Sequence, residues 1–155
     1  MSQLPPERSL GYQVRGCHRR FDRLLHASLS GHQLKAGYWY YLRVLWMGDG
    51  VTQKYLSDMT NVTENTTVAL VNGMVADGLV ERVRDTEDRR KQRIYLTQRG
   101  RALENDLMHY ALDINRIASA GIDPKELAVC ASVLTRMSEN LGAKLLEVSD
   151  EEQNP

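Results

Sequence analysis

Apolar residues recur four and three apart at Leu10, Val14, Cys17, Phe21 and Leu24, with Ser28 in the same rhythm. That spacing predicts an amphipathic helix from about Ser9, which is suited to cap it. Its other faces carry Arg15, Arg19, Arg20 and Arg23. Ser30-Gly31-His32 breaks the pattern. A second helix is predicted from Lys35 to Met47, crowded with Tyr38, Trp39, Tyr40, Tyr41, Leu42, Leu45 and Trp46. Gly48-Asp49-Gly50 is expected to end it through a left-handed glycine. Thr52 then reads as the cap of a short helix through Asp58 or Met59, with Tyr55, Leu56 and Met59 inward. Asn61-Val62 forms a turn, and Thr63 caps a further helix that buries Thr67, Leu70, Val71 and Met74 and ends near Asp77-Gly78.

From there the period changes. Leu79 to Val83 and Gln92 to Leu96 are rich in β-formers and read as a hairpin with a charged tip, Arg84 to Lys91. Thr97 caps a helix to about Ala120, with Leu103, Leu107, Tyr110, Ile114 and Ile117 in a four-three rhythm. After Gly121, Asp123-Pro124-Lys125-Glu126 is a helix start. The last helix repeats the seam at Leu127, Cys130, Leu134, Met137, Leu141, Leu145 and Val148.

The predicted fold is mainly α with a small β-hairpin wing: a winged helix-turn-helix joined to a helical dimerisation region. Residues 9–47 form N-terminal helices, the first belonging to the dimerisation region. Residues 48–97 form the winged unit, residues 98–148 the C-terminal helices, and 1–8 and 149–155 flexible tails. Three long seams exceed what one small winged unit can bury, so helices from both chain ends are expected to pair with their copies in a homodimer.

Charge location adds the functional signal. The net charge of the 155 residues is zero. Yet Arg82 to Arg101 holds eight basic residues (Arg82, Arg84, Arg89, Arg90, Lys91, Arg93, Arg99, Arg101) against three acidic (Asp85, Glu87, Asp88). Glu139 to Pro155 holds five acidic residues against Lys144. A basic patch concentrated on a hairpin beside a helix-turn-helix is the electrostatic footprint of a polyanion reader. The recognition helix itself offers Thr63, Glu64, Asn65 and Thr66 at its start but Val68, Ala69 and Gly73 near its middle, so the charge of the reader sits mainly on the wing.

Mean hydropathy is −0.45, and no apolar run approaches the roughly 18 residues of a membrane span. The first residues lack the apolar core of a signal peptide, which makes the cytoplasm the expected compartment. Cys17 and Cys130 lie on apolar seams and read as buried, inert thiols, with a thiol-based redox-sensing regulator as an alternative. Cys17 and His18, adjacent on a helix, point about 100° apart and cannot act as nucleophile and base. His18, His26, His32 and His109 lack metal-ligand spacing, so no enzyme activity, cofactor or metal is expected.

Taken together, TQKYL (Thr52–Leu56), the helix from Thr63 to Gly78, GLVER (Gly78–Arg82), EDRR (Glu87–Arg90) and LTQRG (Leu96–Gly100) resemble the MarR family of bacterial transcription regulators over nearly the whole chain. The resemblance implies a homodimeric DNA-binding regulator, usually a repressor of a near-palindromic double-stranded operator, relieved by a small aromatic or phenolic effector. It implies that Arg90 enters the minor groove, that Asp88 positions the wing, and that Arg89 and Lys91 lie near phosphates; Arg84 at the base of the tip is a further candidate DNA contact. Thr63, Glu64, Asn65 and Thr66 would face bases, and Gln53 the backbone. It also implies an effector seat between the dimerisation helices and the winged unit, with His18, Arg19, Tyr38, Trp39, Leu42 and Arg43 as candidates. The competing reading makes Trp39 and Leu42 core and leaves Arg19 and Arg43 exposed or paired. A winged-helix dimer that binds protein instead of DNA is the rival of another class.

Overall fold

The computed structural model describes residues 4–35 and 37–153. Its elements are α1 (Leu10–Leu29), α2 (Tyr38–Met47), β1 (Val51–Thr52), α3 (Gln53–Thr60), α4 (Glu64–Ala76), β2 (Val80–Arg84), β3 (Gln92–Leu96), α5 (Gln98–Ala118) and α6 (Pro124–Gln153), with 3-10 turns at Pro6–Arg8 and Ser30–His32. The chain divides into two compact units, Met1–Ile114 and Asn115–Pro155.

Side-chain caps fix several boundaries. Hydroxyls of Ser9, Thr52 and Thr63 accept from the backbone N–H groups of Tyr12, Tyr55 and Thr66, which opens α1, α3 and α4. Thr97 Oγ1 accepts from Gly100 N at 3.1 Å, and Asp123 Oδ1 from Lys125 N at 2.7 Å, at the starts of α5 and α6. Between α3 and α4, Asn61 adopts the left-handed conformation (φ 55°), which asparagine tolerates better than most residues. Gly121, also left-handed, follows α5.

The sheet has three antiparallel strands in the order β1-β3-β2, with Val80 opposite Leu96 and Arg84 opposite Gln92. The hairpin was legible in sequence; β1 was not. Val51 and Thr52 pair with Ile94 and Arg93, a strand too short to show a period.

One core gathers α2, α3, α4 and the sheet around Tyr38, Tyr41, Leu42, Leu45, Leu56, Val71, Met74, Val80 and Ile94. A second joins Leu25 and Leu29 of α1, Trp39 of α2, and Leu107 and Ile114 of α5. Trp39 and Trp46 meet edge to face, their centroids 5.7 Å apart. Trp46 Nε1 donates to Gly100 O at 3.0 Å, so a residue packed against both cores also anchors the start of α5.

Some expectations change. Helix α2 begins at Tyr38, not Lys35, because Gly37 is left-handed (φ 91°). Gly48 is extended (φ 173°); the left-handed glycine of the exit is Gly50 (φ 75°), whose N–H donates to Ile94 O at 2.8 Å. On α3, Leu56 and Ser57 are buried whereas Tyr55 and Met59 are exposed. Helix α6 runs past Val148 to Gln153; residues 1–3 and 154–155 of the expected tails lie outside the described residues.

Much of the α1 seam and most of the α6 seam are uncovered in the single chain, whereas the α5 seam is buried at Leu107 and Ile114. Leu10, Val14 and Leu24 of α1 are exposed, and α6 buries none of its described residues. Cys17 and Cys130 are both exposed free thiols, which corrects the expectation of burial: a thiol on a seam is covered only when something packs on the seam.

Candidate nucleic-acid interface

The wing tip is built on Asp85, the charged side chain the fold buries most completely among the described residues. Its Oδ1 accepts from the backbone N–H groups of Glu87 (2.8 Å) and Asp88 (3.2 Å), and its Oδ2 accepts from Arg93 Nε. Asp85 N donates to Lys91 O at 3.0 Å, and Lys91 N to Asp88 O at 2.9 Å. Those bonds fold the tip into a tight turn. The Glu87 N–H bond first, then the Arg93 guanidinium and the Asp88 N–H, hold the Asp85 carboxyl down at about 2, because each favours the charged form. Arg93 completes the link by donating from Nη1 to Gly50 O at 2.9 Å, tying the tip to β1.

Arg90 projects from this turn with 92% of its side chain exposed. Asp88 Oδ1 accepts from both its N–H (3.1 Å) and its Nε (3.2 Å), so Asp88 orients Arg90 and Asp85 shapes the turn beneath. Arg84, Arg89 and Lys91 are exposed around it. A hollow of about 370 Å³ separates the tip from the start of α3, lined by Thr52, Gln53, Lys54, Arg90, Lys91 and Gln92.

On α4, Thr67, Val71 and Met74 are buried, which turns Glu64, Asn65, Thr66, Val68, Ala69 and Asn72 outward. Thr63 spends its hydroxyl on the cap, and it also donates to Thr66 Oγ1 at 3.0 Å. Gln53 is not a free surface amide: its Oε1 accepts from Arg82 Nη2 at 2.9 Å, and the same nitrogen donates to Asn72 Oδ1. Asp85, Arg93, Arg82 and Asn72 were missed in the sequence. For Asp85 and Arg93 an acidic residue eight positions before an arginine, across the hairpin tip, is the available signal; nothing local pairs Arg82 with Asn72.

The far end of α4 is fixed to α2. Tyr38 donates its hydroxyl to Asp77 Oδ2 at 2.9 Å, and Lys35 Nζ lies 3.3 Å from the same oxygen. The Tyr38 bond, then that of Lys35, lowers the Asp77 carboxyl, while burial foremost raises the Tyr38 phenol. Arg99 Nη1 donates to Asp77 O at 2.9 Å.

The six effector candidates are dispersed. Tyr38 and Leu42 lie in the first core and Trp39 in the second. Arg43 is exposed, its guanidinium 5.7 Å from the Trp39 ring centroid and Nη1 3.6 Å from Met108 Sδ. His18 pairs with Asp22 at 3.3 Å. Arg19 alone of the six lines the groove of about 600 Å³ along α1, beside Tyr12, Gly16, Arg20, Asp22, Arg23 and His26.

Comparison with known proteins gives the same picture. The MarR family model matches residues 32–91. A curated relative, the HTH-type transcriptional regulator TtmR of Methylorubrum extorquens (strain PA1), is 30% identical over 98 residues, 63% of this chain and 50% of its own length; the chain spans about half the length of that relative. A solved MarR transcriptional regulator from Methanosarcina mazei Go1 is 28% identical with a TM-score of 0.78, covering 88% of this chain and 97% of its own. The fold is shared with a putative MarR family regulator from Listeria monocytogenes, solved with a 26mer DNA: TM-score 0.86, 18% identity, 92% of this chain and 95% of that one covered. Matched by the family's model and, over most of its length, by solved transcriptional regulators at 28–30% identity, the chain belongs to the MarR family, a family of transcriptional regulators and not of enzymes.

Proposed function

We propose that the protein is a homodimeric, sequence-specific DNA-binding regulator, a ligand-responsive repressor acting on a near-palindromic operator in the cytoplasm. The observation that carries this reading is Arg90, held by Asp88 on a turn organised by Asp85 yet open to solvent. A guanidinium presented that way suits the narrow, electronegative minor groove. Arg84, Arg89 and Lys91 beside it suit phosphates, and Asn65, Glu64, Thr63 and Thr66 suit base edges in the major groove. The DNA held by the Listeria relative supports the assignment.

The dimer is supported by the uncovered seams. Leu134, Leu141, Leu145, Leu146 and Val148 are exposed along α6, as are Leu10, Val14 and Leu24 on α1. Soluble monomers rarely leave apolar patches of that extent open. Pairing them with a second copy would hold two recognition helices about 34 Å apart, one turn of DNA.

For the effector, an aromatic carboxylate suits the α1 groove, which Arg19, Arg20 and Arg23 line with Tyr12 while the acidic Asp22 of the same lining is engaged by Tyr40 and His18. Titrating phenolic acids into the protein by calorimetry checks it; no heat and no change in DNA affinity would remove the effector from the reading.

Fluorescence anisotropy on duplexes from upstream of the protein's own gene, across a salt series, tests DNA binding itself. Affinity should fall steeply with salt and drop at least tenfold in Arg90→Ala. No binding at low salt, or an unchanged affinity in the variant, would favour a protein-binding module.

A further inference from the structure

Helix α4 carries no basic residue from Glu64 to Ala76, yet a guanidinium reaches its exposed face. Arg82, on β2, donates from Nη2 to Oε1 of Gln53 and to Oδ1 of Asn72, so one nitrogen joins the wing, α3 and the recognition helix. A guanidinium only donates hydrogen bonds. Both amides must therefore turn their oxygens toward Arg82, and their NH2 groups, on the other corner of each planar amide, face away from it. An unconstrained amide is ambivalent, donor or acceptor as its partner requires. These two are set as donors.

Their positions give that polarity a use. Asn72 follows Asn65 by seven residues, which on a helix returns it to within about 20° of the same side and about 10.5 Å farther along the axis. Both residues stand on the exposed face of α4. An asparagine pairs with adenine through two points, its oxygen accepting from N6 and its NH2 donating to N7; guanine offers two acceptors, N7 and O6. An Asn72 whose oxygen is turned toward Arg82 is out of place for the adenine pairing and keeps what guanine accepts.

We propose that Arg82 is a specificity-setting positioning residue: it orients Asn72 to donate to guanine in the major groove and Gln53 to donate to a phosphate. This rests on the DNA-binding reading above. The recognition helix thereby receives from the wing the cation it lacks.

Selection of bound duplexes from a randomised library, with wild type, Asn72→Ala and Arg82→Met, tests it. Wild type should show a guanine preference of about fivefold at one position in each half-site, the size expected for one good base contact. Asn72→Ala should lose that preference while still binding, and Arg82→Met should shift it toward adenine as the amide regains both faces. Replacing the guanine by 7-deazaguanine should weaken wild type and leave Asn72→Ala unaffected. An Asn72→Ala site profile equal to that of wild type, or adenine chosen by wild type at the position that Asn72→Ala alters, overturns the proposal. Asn72 is exposed, so that variant remains decisive even if Arg82→Met fails to fold. Wild type binding no duplex at low salt would instead sink the DNA reading, and this inference with it.

Discussion

Gly73 on the recognition helix faces Tyr38 on α2 so closely that a Cβ at Gly73 would stand 2.3 Å from the phenolic oxygen. The missing side chain lets that hydroxyl reach Asp77 just past the end of the helix. Gly73→Ala must displace either the helix or the ring, and overpacking of this kind costs about 1–3 kcal/mol. Removing the oxygen should repair it: Gly73→Ala with Tyr38→Phe leaves the ring carbon Cζ 3.2 Å from the new Cβ, a gap a slight ring shift relieves. Urea denaturation should show the double variant more stable than Gly73→Ala, with Tyr38→Phe alone costing about 1 kcal/mol for its lost bond. Equal losses in the single and double variants would rule out the steric account.

A harsher case is Gly100, where a Cβ would meet the Leu79 carbonyl oxygen at 2.1 Å. That oxygen is backbone and also accepts from Thr97 N and Thr97 Oγ1, so it cannot step aside as a side chain can. Gly100→Ala should cost about 3 kcal/mol or more, exceeding Gly73→Ala in the same denaturation assay.

Asp85 makes the wing sensitive to acid. Its carboxyl is held at about 2 in the folded chain against an ordinary 3.8. A folded value below the unfolded one means that the contribution is complete above the unfolded pKa and is lost as pH falls from about 4 through about 2. Asp85→Asn should therefore destabilise the protein at pH 7 by more than at pH 3. Denaturation of both proteins at the two pH values checks this, and a difference that grows toward acid would refute the role.

These cases show why parts of the molecule were legible in sequence and others were not. Caps announce themselves locally: Ser9, Thr52, Thr63 and Thr97 each act on an N–H three residues away. The buried face of α4 at Thr67, Val71 and Met74 followed from its period, whereas the roles of Arg90 and Asp88 came from the family resemblance. Asp85 with Arg93 is set by strand register, and Arg82 with Gln53 and Asn72 by tertiary packing across 29 and 10 residues, which no local spacing encodes. The aromatic crowd of α2 suggested a pocket, but Tyr38 and Leu42 build one core and Trp39 another, because a helix between two layers spends its side chains on both.

Arg90 and Asp88 separate stability from affinity. The pair is exposed on the arginine side, and exposed ion pairs contribute about 0–1 kcal/mol. Asp88→Ala should leave the melting temperature nearly unchanged while weakening DNA binding through a disordered Arg90, and Arg90→Ala should reduce the slope of log affinity against log salt by about one. A melting temperature that falls in step with affinity would mean that the wing had unfolded instead.

The two thiols report on the dimer. Cys17 and Cys130 are exposed in the single chain and stand on the same stripes as exposed Val14 and Leu134. If those stripes pair between copies, both sulfurs become covered, and a thiol reagent should react with the native protein at least tenfold more slowly than with the chain in denaturant. Leu141→Asp, on the α6 seam and exposed in the single chain, should place a charge in the interface, yield monomer by sedimentation and speed the reaction. Thiols that react at the denatured rate in a sample sedimenting as a dimer would move the interface off these seams, and with it the spacing of the two recognition helices.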